Sequence, residues 1–134
     1  MKNKIVWLLF LAGLSFHCSQ SNPFIQGERI YQAQCASCHM EKGQGLKSLY
    51  PPLAKSDYLV AHFHDLPCII TKGISHPIVV NGKTYELPMP PIKDMTPVEI
   101  TNVINFIAHA WGNDLGYTKL EEVKRALENC SNTH

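Results

Sequence analysis

The chain has 134 residues, of which 45% are hydrophobic and 17% charged, with a formal net charge of +1. This describes one ordinary-sized folded domain and excludes a disordered tail or an array of domains. Twelve lysines and arginines against eleven acidic residues leave no basic excess to neutralise phosphates, which argues against a nucleic-acid partner. Five cysteines, an odd number, are the unusual feature.

Lys2 and Lys4 precede an apolar run from Ile5 to Leu14. The run is shorter than the roughly 20 residues a spanning helix needs and has the layout of a secretion signal. Residues 1–17 are therefore expected to be a signal peptide, followed by Cys18 and a polar, flexible tether over residues 18–23. The position of Cys18 resembles the lipid-modified cysteine of bacterial lipoproteins, which implies a lipid anchor on the periplasmic side of a bacterial membrane. Ser15 and His17 depart from the usual leucine and small residue at those positions, so a soluble secreted chain and an uncleaved anchor stay open. Loss of the leader would remove two lysines and turn the net charge to −1. It would also place the remaining cysteines outside the reducing cytosol.

A short helix over Gly27 to Ala36 runs into a cysteine cluster. Met40 to Lys55 is a loop, since Gly43, Gly45, Pro51 and Pro52 forbid a long helix. Ser56 caps a brief helix carrying Tyr58, Leu59 and Phe63, and Pro67 suits the first turn of another that stops at Gly73. Pro77 to Val80 and Lys83 to Leu87 flank Asn81-Gly82, a dipeptide suited to the two positive-φ positions of a tight hairpin. The strongest helix has Thr96 as cap, Pro97 at its first position and Glu99 at its third. Ile100, Val103, Ile104, Ile107 and Trp111 lie along one face, and Gly112 closes it. Thr118 and Glu121 repeat the capping pattern for a tail helix with Leu120, Val123, Leu127 and Cys130 on one stripe.

Cys35-Ala36-Ser37-Cys38-His39 is the CxxCH pattern of covalent c-type haem attachment. Two cysteines three positions apart on about one helical turn can each form a thioether to one haem vinyl group. The next residue, His39, then becomes the proximal axial ligand. A thiol redox pair usually follows a strand in a βαβ setting, which is missing here, and a zinc site needs further ligands at metal spacing.

Over residues 24–113 the chain resembles a class I monohaem cytochrome c. The order is helix, CxxCH, proline-rich loop, short helices, a methionine in a proline-flanked loop and a long amphipathic helix. The resemblance implies an all-α cytochrome c fold of three to five short helices around one covalently bound haem c, with a small hairpin or loop before the methionine. Residues 114–134 are then a C-terminal helical extension. Gly27 and Tyr31 correspond to the glycine and aromatic of the family's first helix, with Phe106 as the aromatic opposite. Gly27 also reads simply as a helix start, and Phe106 simply as core.

Met89, in Leu87-Pro88-Met89-Pro90-Pro91, stands where the family places its sulfur ligand, and the flanking prolines lower the entropy cost of holding it. Met40 and Met95 are weaker candidates, and His62, His64 and His76 compete as ligands. Pro51 corresponds to the proline whose carbonyl accepts a hydrogen bond from the second ring nitrogen of the proximal histidine, unless it is a simple turn proline. Tyr85, Ile74 and Trp111 are expected to be pocket or core contacts.

In an oxidising compartment Cys68 and Cys130 are expected to pair. With both axial positions filled the implied function is outer-sphere transfer of one electron, without catalytic residues. The chain is expected to be a monomeric, extracytoplasmic shuttle between a respiratory donor and an oxidase or reductase. Lys42, Lys47 and Lys55 offer a local patch for docking such redox partners. The alternatives are a haem-based sensor with a labile Met89 and a fixed haem subunit of a larger oxidoreductase.

Overall fold

The structure, a computed structural model, describes residues 22–130. The expected leader and Cys18 lie outside them. Helix α1 spans Ile25–Gln34. It begins ahead of Gly27 because Asn22 organises the entry: its Oδ1 accepts the Phe24 N–H and its amide donates to Glu28. Cys35, at φ −117°, breaks the helix before the single turn of α2, Ala36–His39.

Met40 then leaves in the left-handed region, and the chain loops to a short antiparallel bridge between Leu46 and Tyr50. Helix α3, Asp57–Ala61, is capped by Ser56, whose Oγ accepts the Leu59 N–H at 3.1 Å. A 3-10 turn, Phe63–Asp65, leads into α4, Leu66–Lys72, which stops at Gly73. Strands β1, Ile78–Val80, and β2, Lys83–Tyr85, form the expected hairpin. Ile78 pairs with Tyr85 and Val80 with Lys83, and both residues of Asn81-Gly82 have positive φ.

Helix α5, Pro97–His109, opens on the expected capping box. The Thr96 Oγ1 accepts the Glu99 N–H, and the Glu99 carboxylate accepts the Thr96 N–H at 2.8 Å. The Thr96 N–H and then the Thr96 hydroxyl, both donating to it, hold the Glu99 carboxyl below its ordinary range. Helix α6 is Leu120–Asn129.

Two details differ from the expectation. Helix α5 ends before Trp111, which stands at φ +54° and folds back onto Tyr31 and Phe106, with ring centroids 4.9 and 5.3 Å away. The apolar periodicity continued past the true end because Trp111 is a core residue without being helical. At α6 the first-turn acid that bonds back is Glu122, to the Lys119 N–H. Thr118 instead donates its N–H to the Asn105 Oδ1 and accepts from the Asn105 Nδ2 at its carbonyl, Asn105 being itself buried in α5.

The core lies where α1 crosses α5. A Cβ on Gly27 would sit 2.0 Å from the backbone oxygen of Asn102 and 2.7 Å from the Phe106 Cβ. Only glycine permits that approach. One turn later, Tyr31 is fully buried against Phe106 and Trp111 and donates its hydroxyl to the Met40 carbonyl at 2.6 Å. Burial pushes the Tyr31 phenol well above its ordinary pKa, so it stays protonated as a donor.

Helix α6 packs on α4 and α5 through buried Val123, and a disulfide joins Cys68 of α4 to Cys130 at its end.

Two substitutions test this frame. Gly27→Ala should destabilise the protein by about 3 kcal/mol, because the added methyl meets rigid backbone. Denaturant unfolding would read this as a lower midpoint at unchanged slope. Replacing Cys68 and Cys130 together by alanine removes a crosslink across 62 positions. In the chain-entropy model that costs about 4 kcal/mol, read as a fall in Tm that reductant reproduces in the parent protein.

Candidate functional site

The break at Cys35 places three reactive side chains on one turn. The Cys38 and His39 N–H groups both return to the Cys35 carbonyl, at 3.1 and 2.9 Å. Cys35, Cys38 and His39 consequently line one side of a largely apolar cleft. Both cysteines are half-buried and lie outside the disulfide, and burial pushes an unmodified Cys35 thiol up to about 11, with Cys38 beside it adding to the shift.

His39 is held by its backbone and by its ring. Its carbonyl accepts the Gly45 N–H at 3.0 Å, and its Nδ1 lies 2.9 Å from the Pro51 carbonyl oxygen. A carbonyl can only accept, so Nδ1 carries the proton and the lone pair belongs to Nε2. Burial lowers the imidazole pKa and the Pro51 bond partly opposes this, so the ring is a neutral base. Gly45 makes the close packing of this loop possible. At φ +67°, a Cβ there would sit 2.4 Å from the Tyr50 oxygen.

Met89 belongs to the same cleft. Its N–H donates to the Ile74 carbonyl and its carbonyl accepts the Ile74 N–H, both at 2.9 Å, which makes an isolated antiparallel bridge. Just beyond, the Ile92 N–H donates to the Ile70 carbonyl of α4. Gly73, at φ +75°, allows the approach, since a Cβ there would lie 2.2 Å from the Met89 carbonyl oxygen. The methionine loop is thus strapped to the end of α4 by backbone bonds, leaving its side chain uncommitted.

Leu53, Leu59, Ile70, Ile74 and Val80 supply much of the apolar wall between the two sides. Tyr85 also lines the cleft, whereas Trp111 does not and belongs to the α1–α5 core. Of the competing ligands, His76 reaches the cleft, His62 lines a neighbouring groove behind Met89, and His64 lines neither. Met95 packs on the core and Met40 is outside the cleft. Among the described residues no group of three or more His, Cys, Asp or Glu side chains is arranged to hold a metal ion.

Two thiols on one turn, a neutral imidazole with an outward-bonded second nitrogen, a thioether and an apolar interior are the donor set of a covalently attached haem. A family model described as cytochrome c oxidase, cbb3-type, subunit III matches residues 22–107. A cytochrome c-552 of Thermus thermophilus is 32% identical over 124 residues, covering 84% of this chain and 74% of that protein. The chain belongs to the class I cytochrome c family. A second Thermus thermophilus cytochrome c-552 is 34% identical over 98 residues, covering 65% of this chain and 69% of its own. The cytochrome c subunit of a quinone alcohol dehydrogenase from Gluconobacter oxydans is 28% identical over 92 residues, covering 66% of this chain but 19% of that subunit.

Cytochromes c carry covalently bound haem c and are electron-transfer proteins, not enzymes. Their address is extracytoplasmic. Among the described residues, no helix of this cytochrome is long and apolar enough to cross a membrane.

Pro51, Met89 and the CxxCH residues stand out by motif and family position. The part Gly73 plays does not, because it arises from contact with a distant segment, the methionine loop. Gly73→Ala should pry the methionine loop from α4. The expected readout is exchange of the Met89 and Ile74 amide protons at least tenfold faster than in the parent, with the Leu59 amide, at the capped start of α3, unchanged.

Proposed function

We propose that this cytochrome is a one-electron shuttle between a respiratory donor and an oxidase or reductase. It would hold one haem c through thioethers to Cys35 and Cys38, with His39 and Met89 as axial ligands. The observation that carries this is that His39 and Met89 line one apolar cleft, each held by bonds to the backbone that leave its donor atom uncommitted.

The haem supplies a reversible one-electron couple. The chain's part is to orient, exclude water and tune. Pro51 fixes the His39 tautomer and strengthens its lone pair. Bound to the iron, the Met89 thioether would favour the reduced state, and the apolar wall would disfavour the extra positive charge of the oxidised state, so both would raise the potential. With His39 and Met89 both holding the iron, the bound haem would have no site left for a substrate.

The lipoprotein-like leader supports anchorage through Cys18, with residues 18–23 as a tether for a monomeric domain over residues 24–113 and the extension at 114–134. The similarity to a dehydrogenase's cytochrome subunit favours a second reading, in which this chain is a fixed subunit of an oxidoreductase. Stoichiometric co-purification with a dehydrogenase or oxidase would decide for that reading.

Spectra of the purified holoprotein beside Met89→Ala test the ligand set. The parent should show the long-wavelength charge-transfer band of thioether-bound ferric haem and bind no CO at neutral pH. Met89→Ala should lose the band, gain CO binding and fall in potential by part of the ~0.8 V range that axial ligation spans. Identical low-spin spectra from both proteins would refute Met89 as ligand. CO binding by the parent would point to a sensor.

A further inference from the structure

The segment that holds His39 is itself held from a distance. Beyond Pro51, the Leu53 and Ala54 N–H groups donate to the Gly43 carbonyl at 2.7 and 2.8 Å, closing the loop on itself. At its end Lys55 adopts φ +52°, a conformation unfavourable for a residue with a side chain. Asn113 meets it there. Its Oδ1 accepts the Lys55 N–H at 2.7 Å, and its Nδ2 donates to the Leu53 carbonyl at 3.1 Å. The same Nδ2 donates at 2.8 Å to the carbonyl of Ile107, in the last turn of α5. Trp111 and Gly112, both at positive φ, turn the chain back so that Asn113 reaches the loop.

We propose that Asn113 is a positioning residue for the proximal ligand. By bonding Leu53 and Lys55 to the end of α5, it fixes the Pro51 carbonyl against His39 Nδ1. The inference rests on His39 being that ligand. A firm Nδ1–H···O=C bond makes the imidazole a stronger donor and stabilises oxidised iron. Freeing the loop weakens the bond and raises the potential. Asn105, a buried residue of α5, makes its side-chain bonds to Thr118, away from this loop, and serves as the control.

The experiment is proton NMR of the reduced holoprotein, following solvent exchange of the His39 Nδ1 proton, together with potentiometry. In Asn113→Ala that proton should exchange at least tenfold faster than in the parent, and the midpoint potential should shift upward with the thioether band kept. Asn105→Ala should lower Tm without moving either quantity. Asn113→Asp keeps the acceptor for Lys55 but loses both donor bonds, and should fall between parent and alanine variant.

Unchanged exchange and potential in Asn113→Ala, or equal changes in Asn105→Ala, would overturn the proposal. The parent protein supplies a measurement that needs no variant: the Lys55 amide and the His39 ring proton should share one opening equilibrium, and clearly different protection would also overturn it. A parent spectrum without histidine ligation would instead defeat the underlying ligand assignment, so the two failures are separable.

Discussion

The close crossing of α1 and α5 at Gly27 is the constraint on which the other placements depend. A backbone-to-backbone approach leaves almost no freedom in the distance between the two helices. Because α1 runs directly into the Cys35–His39 turn, fixing α1 fixes Cys35, Cys38 and His39. Because α5 runs from the Thr96 cap to the turn at Trp111, fixing α5 also places the chain on either side of it. Tyr31 ties the two consequences together, filling the crossing with its ring and holding the exit from the CxxCH turn with its hydroxyl.

The two sides of the cleft are built on different plans. The histidine side is a closed loop whose glycine and prolines pack backbone against backbone, and its one polar contact with the ring comes from a carbonyl that has no other work. The methionine side is an extended segment laid along the end of α4 and paired with Ile74. In both, main-chain groups satisfy each other, so that the side chains facing the apolar interior have no competing hydrogen bonds. The disulfide to α6 backs α4 from the outside, on the flank that also borders Met89. It therefore reinforces the methionine side more than the histidine side.

What could be read in the sequence was local or positional. The spacing within CxxCH is dictated by one helical turn, the caps at Ser56 and Thr96 act within three residues, and Asn81-Gly82 acts within two. All three kinds of signal describe what is observed. Met89 and Pro51 drew their meaning from position within a family pattern, since a methionine between prolines says little by itself. Illegible were the residues whose purpose is a distant partner. Trp111 continues the apolar period of α5 yet belongs to a turn, Thr118 looks like a cap yet serves Asn105, Gly73 reads as a helix stop and not as the seat of the methionine loop, and Asn113 looks like an ordinary loop residue. Periodicity reports which side of a chain is apolar and cannot report where the helix stops.

The pairing of Met89 with Ile74 also bears on how fast an electron can move. Outer-sphere transfer is slowed by whatever must rearrange when the charge changes. A ligand on a loose loop would shift with each oxidation and reduction. Here both main-chain groups of Met89 are bonded, the residues on each side of it are prolines, and the strap is seated against a glycine that leaves no gap behind it. For the proposed ligand pair, this geometry is set before the charge arrives, so the polypeptide itself would keep the reorganisation energy low.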